Sequence, residues 1–253
     1  MDSALKHRPL ATNLFVEIAG IIKQSDIGIR RAPGTKIANS LGEVIYTPPE
    51  GEAVIGDKLA NLERFIHAED ELDPLVKLAV IHYQFEAIHP FVDGNGRTGR
   101  ILNILYLVEK GLLEIPVLYL SHYIIQHKSA YYDGLRRVTE EGEWHAWVTY
   151  ILDAVETTAR LTQARVLHIL DLMKEAQILV STNAPKIYSK DLIEAVFMHP
   201  YCKIRFLEDR GIAKRQTASN YLQALEKMGL LKGRKIGREL YYINERLFLA
   251  LTE

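Results

Sequence analysis

The densest chemistry in this sequence lies in one short run, Ile88 to Arg100, which reads "IHPFVDGNGRTGR". His89 is the one side chain there whose ordinary pKa suits proton abstraction near neutral pH. Asp93 is the run's only carboxylate, an oxygen donor of the kind that holds Mg²⁺ against phosphate oxygens. Gly94, Asn95 and Gly96 stand just before a helical pattern. Glycines let successive backbone N–H groups converge on one point, and the helix start adds partial positive charge. Arg97 and Arg100, three apart, project from one helix face and offer two guanidinium forks to a polyphosphate. Base, cation ligand, anion cradle and arginine clamp together describe transfer of a phosphate-containing group to a nucleophile.

Two apolar helical patterns must hold this loop. In "DPLVKLAVIHYQFEAI", Asp73 is an N-cap and Pro74 takes the first helical position. That helix ends at His89, because Pro90 disfavours the α region for the residue before it. "TGRILNILYLVEKG" follows and closes on Gly111. Upstream, "ATNLFVEIAGIIKQ" and "AVIGDKLANLERFIHAED" are helical in period. Between them, "RRAPGTKIANSLGEVIYTPPEGE" carries turn residues and short β-prone pieces at Thr35 to Ala38 and Val44 to Tyr46, the pattern of a hairpin. Downstream come helices through "SAYYDGLRRV" and the long run starting at "EWHAWV". Polar turn residues at Ser181 to Lys186 mark a boundary, dividing the chain into residues 1–180 and 181–253. Beyond it, "SKDLIEAVF", "KIRFLED" and "RQTASNYLQALEKMG" read as three helices and "LLKGRKIGRELYYIN" as a two-stranded ribbon, the layout of a winged helix-turn-helix.

"HPFVDGNGRTGR" resembles the Fic signature, H-x-F-x-[D/E]-G-N-G-R-x-x-R, at every defined position. The resemblance extends to the hairpin and surrounding helices over most of residues 1–180. It implies a mainly α protein, a Fic-type helical core with a β-hairpin flap, followed here by the small winged helix-turn-helix domain. It also implies AMP transfer from ATP to a Ser, Thr or Tyr hydroxyl of a target protein, with release of pyrophosphate. On that resemblance His89 deprotonates the hydroxyl, Phe91 anchors the loop and Asp93 binds Mg²⁺. Gly94, Asn95 and Gly96 hold the α-phosphate, and Arg97 and Arg100 the outer phosphates. Thr98 and Gly99 belong to the same ATP-binding stretch. Doc-type kinases resemble this loop but carry Lys where Gly96 stands, so Gly96 points to AMP transfer over phosphorylation. Phosphocholine transfer by a relative of this type stays open from the loop alone. "TKIANSLGEVIY" resembles the flap that clamps a target by β-augmentation, with Ile37 and Ala38 near the nucleotide. "AYYDGL" resembles the tyrosine pair of an adenine pocket, making Tyr131 and Tyr132 candidates for stacking. The inhibitory motif many relatives carry, [S/T]-x-x-x-E-[G/N], is not found here, so Arg100 is expected to be unrestrained unless a partner supplies a carboxylate.

The C-terminal part gathers basic residues, and Arg215, Gln216, Ser219, Asn220, Arg234 and Lys235 are its candidate nucleic-acid contacts. A nucleotide-sensing transcriptional regulator that binds DNA through this part is the alternative reading, disfavoured by the intact His89. A homodimer is also compatible with a winged helix. The formal net charge of −1 excludes a polyanion-binding field over the whole molecule, so such a patch must be local. The single cysteine, Cys202, permits no intramolecular disulfide and reads as a small core residue. The other histidines show no metal-ligand spacing. No signal-peptide core or membrane-length apolar run is present, so a cytoplasmic protein without membrane contact is expected.

Overall fold

The structure, a computed structural model, describes residues 8–38, 42 and 44–252. It forms two compact units, Met1–Arg160 and Leu161–Glu253.

The first unit contains α1 (Thr12–Lys23), a hairpin of β1 (Ile37–Ala38) and β2 (Val44–Tyr46), then α2 (Glu52–His67), α3 (Pro74–Ile88), α4 (Asn95–Glu109), α5 (Leu120–Gln126) and α6 (Lys128–Glu141). The first turns of α7 (Trp144–Asn183) complete it. The hairpin pairs Ile37 with Tyr46 and Ala38 with Val44. The tip of the expected flap, residues 39–41 and 43, lies outside the described residues.

α3 is the axle of this unit. Asp73 caps it by accepting from the Leu75 N–H at 2.8 Å and the Val76 N–H at 3.4 Å, with Pro74 in the first turn. Leu78, Ala79, Ile81, Phe85 and Ile88 are buried between α2 on one side and α4 on the other. Phe15, Leu59, Leu62, Phe91, Leu102 and Trp147 close around them. Each large apolar side chain so buried contributes roughly 1.5–3 kcal/mol against exposure. Trp147 adds a hydrogen bond from Nε1 to the Ala79 carbonyl at 2.8 Å, fastening α7 to α3.

α4 begins at Asn95, three residues earlier than its apolar pattern predicts, because Gly94 supplies the turn at φ +90°. The signature glycine pair is thus divided: Gly94 is the N-cap and Gly96 lies in the first helical turn.

The polar turn expected after residue 180 does end α7, at Asn183. The division by contacts falls earlier, between Arg160 and Leu161, because Ala176 and Val180 of α7 pack into the second core. That core is built from α8 (Lys190–Phe197), β3 (Tyr201–Cys202), α9 (Ile204–Asp209), α10 (Arg215–Lys227), β4 (Lys232–Ile236), β5 (Glu239–Ile243) and α11 (Glu245–Thr252). Ser189 caps α8 through the Leu192 N–H at 3.1 Å. The sheet is antiparallel in the order β3-β5-β4. Ile236 faces Glu239 across a two-residue turn with Gly237 at φ +62°, the geometry a type II′ hairpin requires. Three elements were not foreseen. α5 has no apolar period of its own, β3 is two residues long, and α11 follows the ribbon directly. Cys202 is buried, and burial pushes its thiol up to about 11, as an inert core residue requires.

Candidate active site

His89 terminates α3 in the left-handed conformation, φ 49° and ψ 58°, which is strained for a residue with a Cβ. Three contacts hold it there. Its N–H donates to the Phe85 carbonyl at 3.1 Å. Its carbonyl accepts from Nε of Arg30 at 2.8 Å. Its ring Nδ1 lies 3.3 Å from the Glu86 carbonyl. A carbonyl only accepts, so Nδ1 carries the proton and Nε2 is left with its lone pair. Burial holds the ring's pKa below the ordinary histidine value, against the backbone hydrogen bond that raises it. The ring is neutral at pH 7, the form a base needs.

Arg30 was not singled out in the sequence, yet it organises this turn. It is 2% exposed, and it also donates to the Pro49 carbonyl through its guanidinium and to the Pro90 carbonyl from its N–H at 2.9 Å. It ties the segment after the hairpin to the segment bearing the base.

The loop then folds on itself. Phe91 is fully buried against Phe85, as its anchoring role predicts. The Asn95 side chain grips the Phe91 backbone twice, accepting from its N–H at 2.8 Å and donating to its carbonyl at 2.7 Å. The Asn95 side chain is therefore consumed in shaping the loop, which leaves its backbone N–H, with those of Gly96 and Arg97, as donors at the helix start. Those three amides precede the first intrahelical bond, Thr98 N–H to Gly94 carbonyl at 2.9 Å. They have no hydrogen-bond partner among the described residues, which makes the turn an anion cradle.

Asp93 stands exposed at the rim. It accepts from the Gly94 N–H at 2.6 Å and from Lys23 of α1, and Arg97 lies 3.8 Å away. The Lys23 hydrogen bond is the largest cause holding its carboxyl below the ordinary value, so it is ionised at neutral pH.

Several expected contacts are corrected by their surroundings. Thr98 and Gly99 face inward from α4, both buried. The Thr98 hydroxyl has no partner among the described residues, and a Cβ on Gly99 would stand 2.6 Å from Glu86 Oε1 and 3.0 Å from Phe85. Gly99 is small because α3 and α4 touch there, and neither residue reaches the cradle. Arg97 and Arg100 do not form a matched pair either. Arg97 is exposed beside Asp93, whereas Arg100 turns inward, its Nη1 3.1 Å from where a Cβ on Gly96 would stand. Glu86 Oε1 lies 3.9 Å from the same point. A Cβ at position 96 would therefore be tight against the Arg100 guanidinium, which would have to shift slightly to admit it.

Glu86 is the second residue the sequence did not mark. It is 7% exposed, and Oε1 has no hydrogen-bond partner among the described residues. Burial pushes its carboxyl up to about 7, against the pull of Arg100. Behind it runs a buried polar relay. Asn103 donates to His82 Nδ1 at 3.0 Å, and His82 Nε2 donates to the Tyr131 hydroxyl at 3.0 Å. Burial first, and Arg100 second, take His82 down to about 3, so it is neutral throughout the physiological range. Tyr131 is thus a buried relay member rather than a pocket wall. Its expected partner Tyr132 does line a pocket, with Ile37, Ile45, Tyr46 and Glu86. That pocket unites the hairpin with α3 and α6. Tyr132, the candidate for adenine stacking, shares it with Ile37, expected near the nucleotide and the target backbone; the Ala38 side chain lies outside the described residues.

The first unit is mainly helical and seats a histidine beside the start of a helix. Its fold matches that of a Fic family protein from Desulfovibrio desulfuricans at TM-score 0.51 and 21% identity, over 90% of this chain and 67% of that one. Residues 9–107 match the Fic/DOC family, and residues 172–247 match the C-terminal domain described as protein adenylyltransferase SoFic-like. The chain is 35% identical over 115 residues to protein adenylyltransferase Fic of Culex quinquefasciatus, covering 45% of this chain and 22% of that protein. It is 26% identical over 193 residues to a protein of Aquifex aeolicus named "probable protein adenylyltransferase", covering 75% of this chain and 54% of that one. The chain thus spans between about a fifth and about half the length of these relatives.

Proposed function

We propose that this protein is an adenylyltransferase that moves AMP from ATP to a hydroxyl of a target protein. The carrying observation is His89, locked by its Nδ1–H with an open Nε2 lone pair, beside the three unpartnered amides that open α4. In the reaction the target's oxygen attacks the α-phosphorus while His89 Nε2 takes its proton, and pyrophosphate leaves. The amides of Asn95, Gly96 and Arg97 receive negative charge on the transferring phosphate, and a general base so placed accelerates such a step by about 10²–10⁴-fold. Arg97 and Arg100 serve the outer phosphates, Arg97 from the exposed rim beside Asp93 and Arg100 from beside Gly96. The flap strand β1 offers its edge to the target backbone.

The residues at the rim fit Mg²⁺ in one respect and constrain it in another. Asp93 is an ionised, exposed carboxylate, and one carboxylate plus substrate phosphates is the usual Mg²⁺ arrangement. Lys23 already occupies one of its oxygens and must yield for a cation to bind there. When bound, the ion would neutralise the leaving pyrophosphate. Incubation with α-labelled and γ-labelled ATP tests the reading. Label should pass to protein from the α position alone; transfer of the γ label would replace it with a kinase reading.

The second unit supports a winged helix-turn-helix reading, through its helix–strand–helix–helix–strand–strand order from α8 to β5. It carries 15 Lys and Arg against 10 Asp and Glu, a net of +5, whereas residues 1–160 carry 16 against 22, a net of −6. This asymmetry favours a polyanion such as DNA at the second unit, with exposed Arg215, Gln216, Asn220, Arg234 and Lys235 as contacts and half-buried Ser219 at their edge. Binding to duplex DNA that weakens with salt, and weakens further in Arg234→Ala/Lys235→Ala, would support it; no binding in 50 mM salt would exclude it. No described helix is long and apolar enough to cross a membrane.

A further inference from the structure

Glu86 has two neighbourhoods. On one side it lines the pocket shared by Ile37 and Tyr132. On the other its carboxyl lies within 4 Å of the Cβ position of Gly96, in the turn whose amides form the phosphate cradle. A nucleotide that places its base against Ile37 and Tyr132 and its phosphates on that turn must lay its sugar between them. We infer that Glu86 is a specificity-determining residue that accepts a hydrogen bond from a ribose hydroxyl, so that the site takes ribonucleotides over deoxyribonucleotides. The inference rests on the nucleotide reading above.

Three features of the structure support it. The carboxyl is buried, and Oε1 lacks any hydrogen-bond partner among the described residues, a condition costly enough that a buried polar atom calls for an explanation. The room it occupies is made by two glycines of α4, since a Cβ at Gly99 would stand 2.6 Å from Oε1 and one at Gly96 3.9 Å. Nor is the carboxyl tied down by Arg100, which lowers its pKa only as the lesser of two influences. A carboxyl held in this way serves a hydroxyl whether it is ionised or protonated, because each form keeps an accepting oxygen. A site built to bond a hydroxyl rejects the analogue lacking it, because the buried acceptor is then left unpaired.

The test compares binding of ATP, 2′-deoxy-ATP and 3′-deoxy-ATP, each with Mg²⁺, by calorimetry on the full chain. We expect one of the deoxynucleotides to bind about tenfold or more weakly than ATP. Glu86→Leu, similar in size but without an acceptor, should weaken ATP to the level of that analogue and abolish the discrimination. If both deoxynucleotides bind the unsubstituted protein as tightly as ATP, the inference falls while the nucleotide reading stands. If no nucleotide binds, it is the nucleotide reading that fails. Should Glu86→Leu not fold, as judged by tryptophan fluorescence, Glu86→Ala, which also lacks an acceptor, decides. Discrimination reduced by threefold or more supports the role, and unchanged discrimination overturns it.

Discussion

Replacing Glu86 by Gln should stabilise the first unit, by an amount set by pH. The folded protein holds the Glu86 carboxyl at about 7, while the unfolded chain returns it to the ordinary value of 4.5. A group whose pKa is raised by folding contributes stability that is whole below its unfolded pKa and is lost as pH rises through its folded one. The window is therefore pH 4.5 to 7, and 2.5 units at about 1.4 kcal/mol each give about 3 kcal/mol. Gln has the shape without the proton equilibrium. The difference in unfolding free energy between the variant and the parent should thus shift by about 3 kcal/mol in favour of Gln from pH 4 to pH 8. His82 makes the shape of the curve diagnostic. Its folded value of about 3 against 6.5 unfolded removes stability as pH falls below 6.5, the opposite sign. Between pH 4.5 and 6.5 the two groups cancel in the parent. In the variant that offset is gone, and stability should climb with pH by about 1.4 kcal/mol per unit from His82, with His89, also lowered by burial, acting in the same direction. Urea unfolding followed by tryptophan fluorescence reads this directly, because both tryptophans, Trp144 and Trp147, lie in the first unit. A difference between the two proteins that stays constant from pH 4 to pH 8 would refute the assignment of Glu86 as a carboxyl held near neutrality by burial.

Three further substitutions probe the site. His89→Ala should lower AMP transfer about a hundredfold or more while calorimetry still detects ATP binding, since the imidazole acts on the attacking hydroxyl. Arg30→Met should slow transfer and destabilise the first unit by about 2–4 kcal/mol in urea unfolding, because it removes two guanidinium hydrogen bonds, to the His89 and Pro49 carbonyls, that hold the strained base. Gly99→Ala should lower the unfolding midpoint by the equivalent of about 1–3 kcal/mol, since the new methyl meets Glu86 and Phe85 at the contact between α3 and α4; an unchanged midpoint would mean that this contact is loose.

Much of the framework was legible because its signals are local. The Asp73 cap, the break before Pro90, the hairpin strands and the ribbon each follow from residues within a few positions of one another. What was missed joins distant segments. Arg30 meets the carbonyl of His89 from 59 positions away, Lys23 meets Asp93 from 70, and His82 meets Tyr131 from 49. No periodicity carries such pairings, and the flanking "RRAPG" looked only like a turn. One clue was within reach. His82 and Glu86 are four apart and Glu86 and His89 three apart, so they form a polar stripe along a helix whose other positions are largely apolar.

That stripe explains why the signature has its spacing. Across from it, α4 presents Gly96, Gly99 and Asn103, residues three and four apart on one face. Glu86 sits over the two glycines, and His82 accepts from Asn103. The seam between the two helices is therefore polar and closely fitted, though it lies inside an apolar core. Of the three glycines in the run from His89 to Arg100, only Gly94 is demanded by backbone conformation, at φ +90°. A Cβ at Gly96 would be tight against Arg100, and one at Gly99 would press on Glu86 and Phe85. The loop read from sequence as an anion cradle thus owes its glycines to two causes, backbone conformation at Gly94 and close neighbours at Gly96 and Gly99. A base held with its lone pair outward and amides fixed at the helix start need no rearrangement when phosphate charge develops, the condition under which such groups act most strongly.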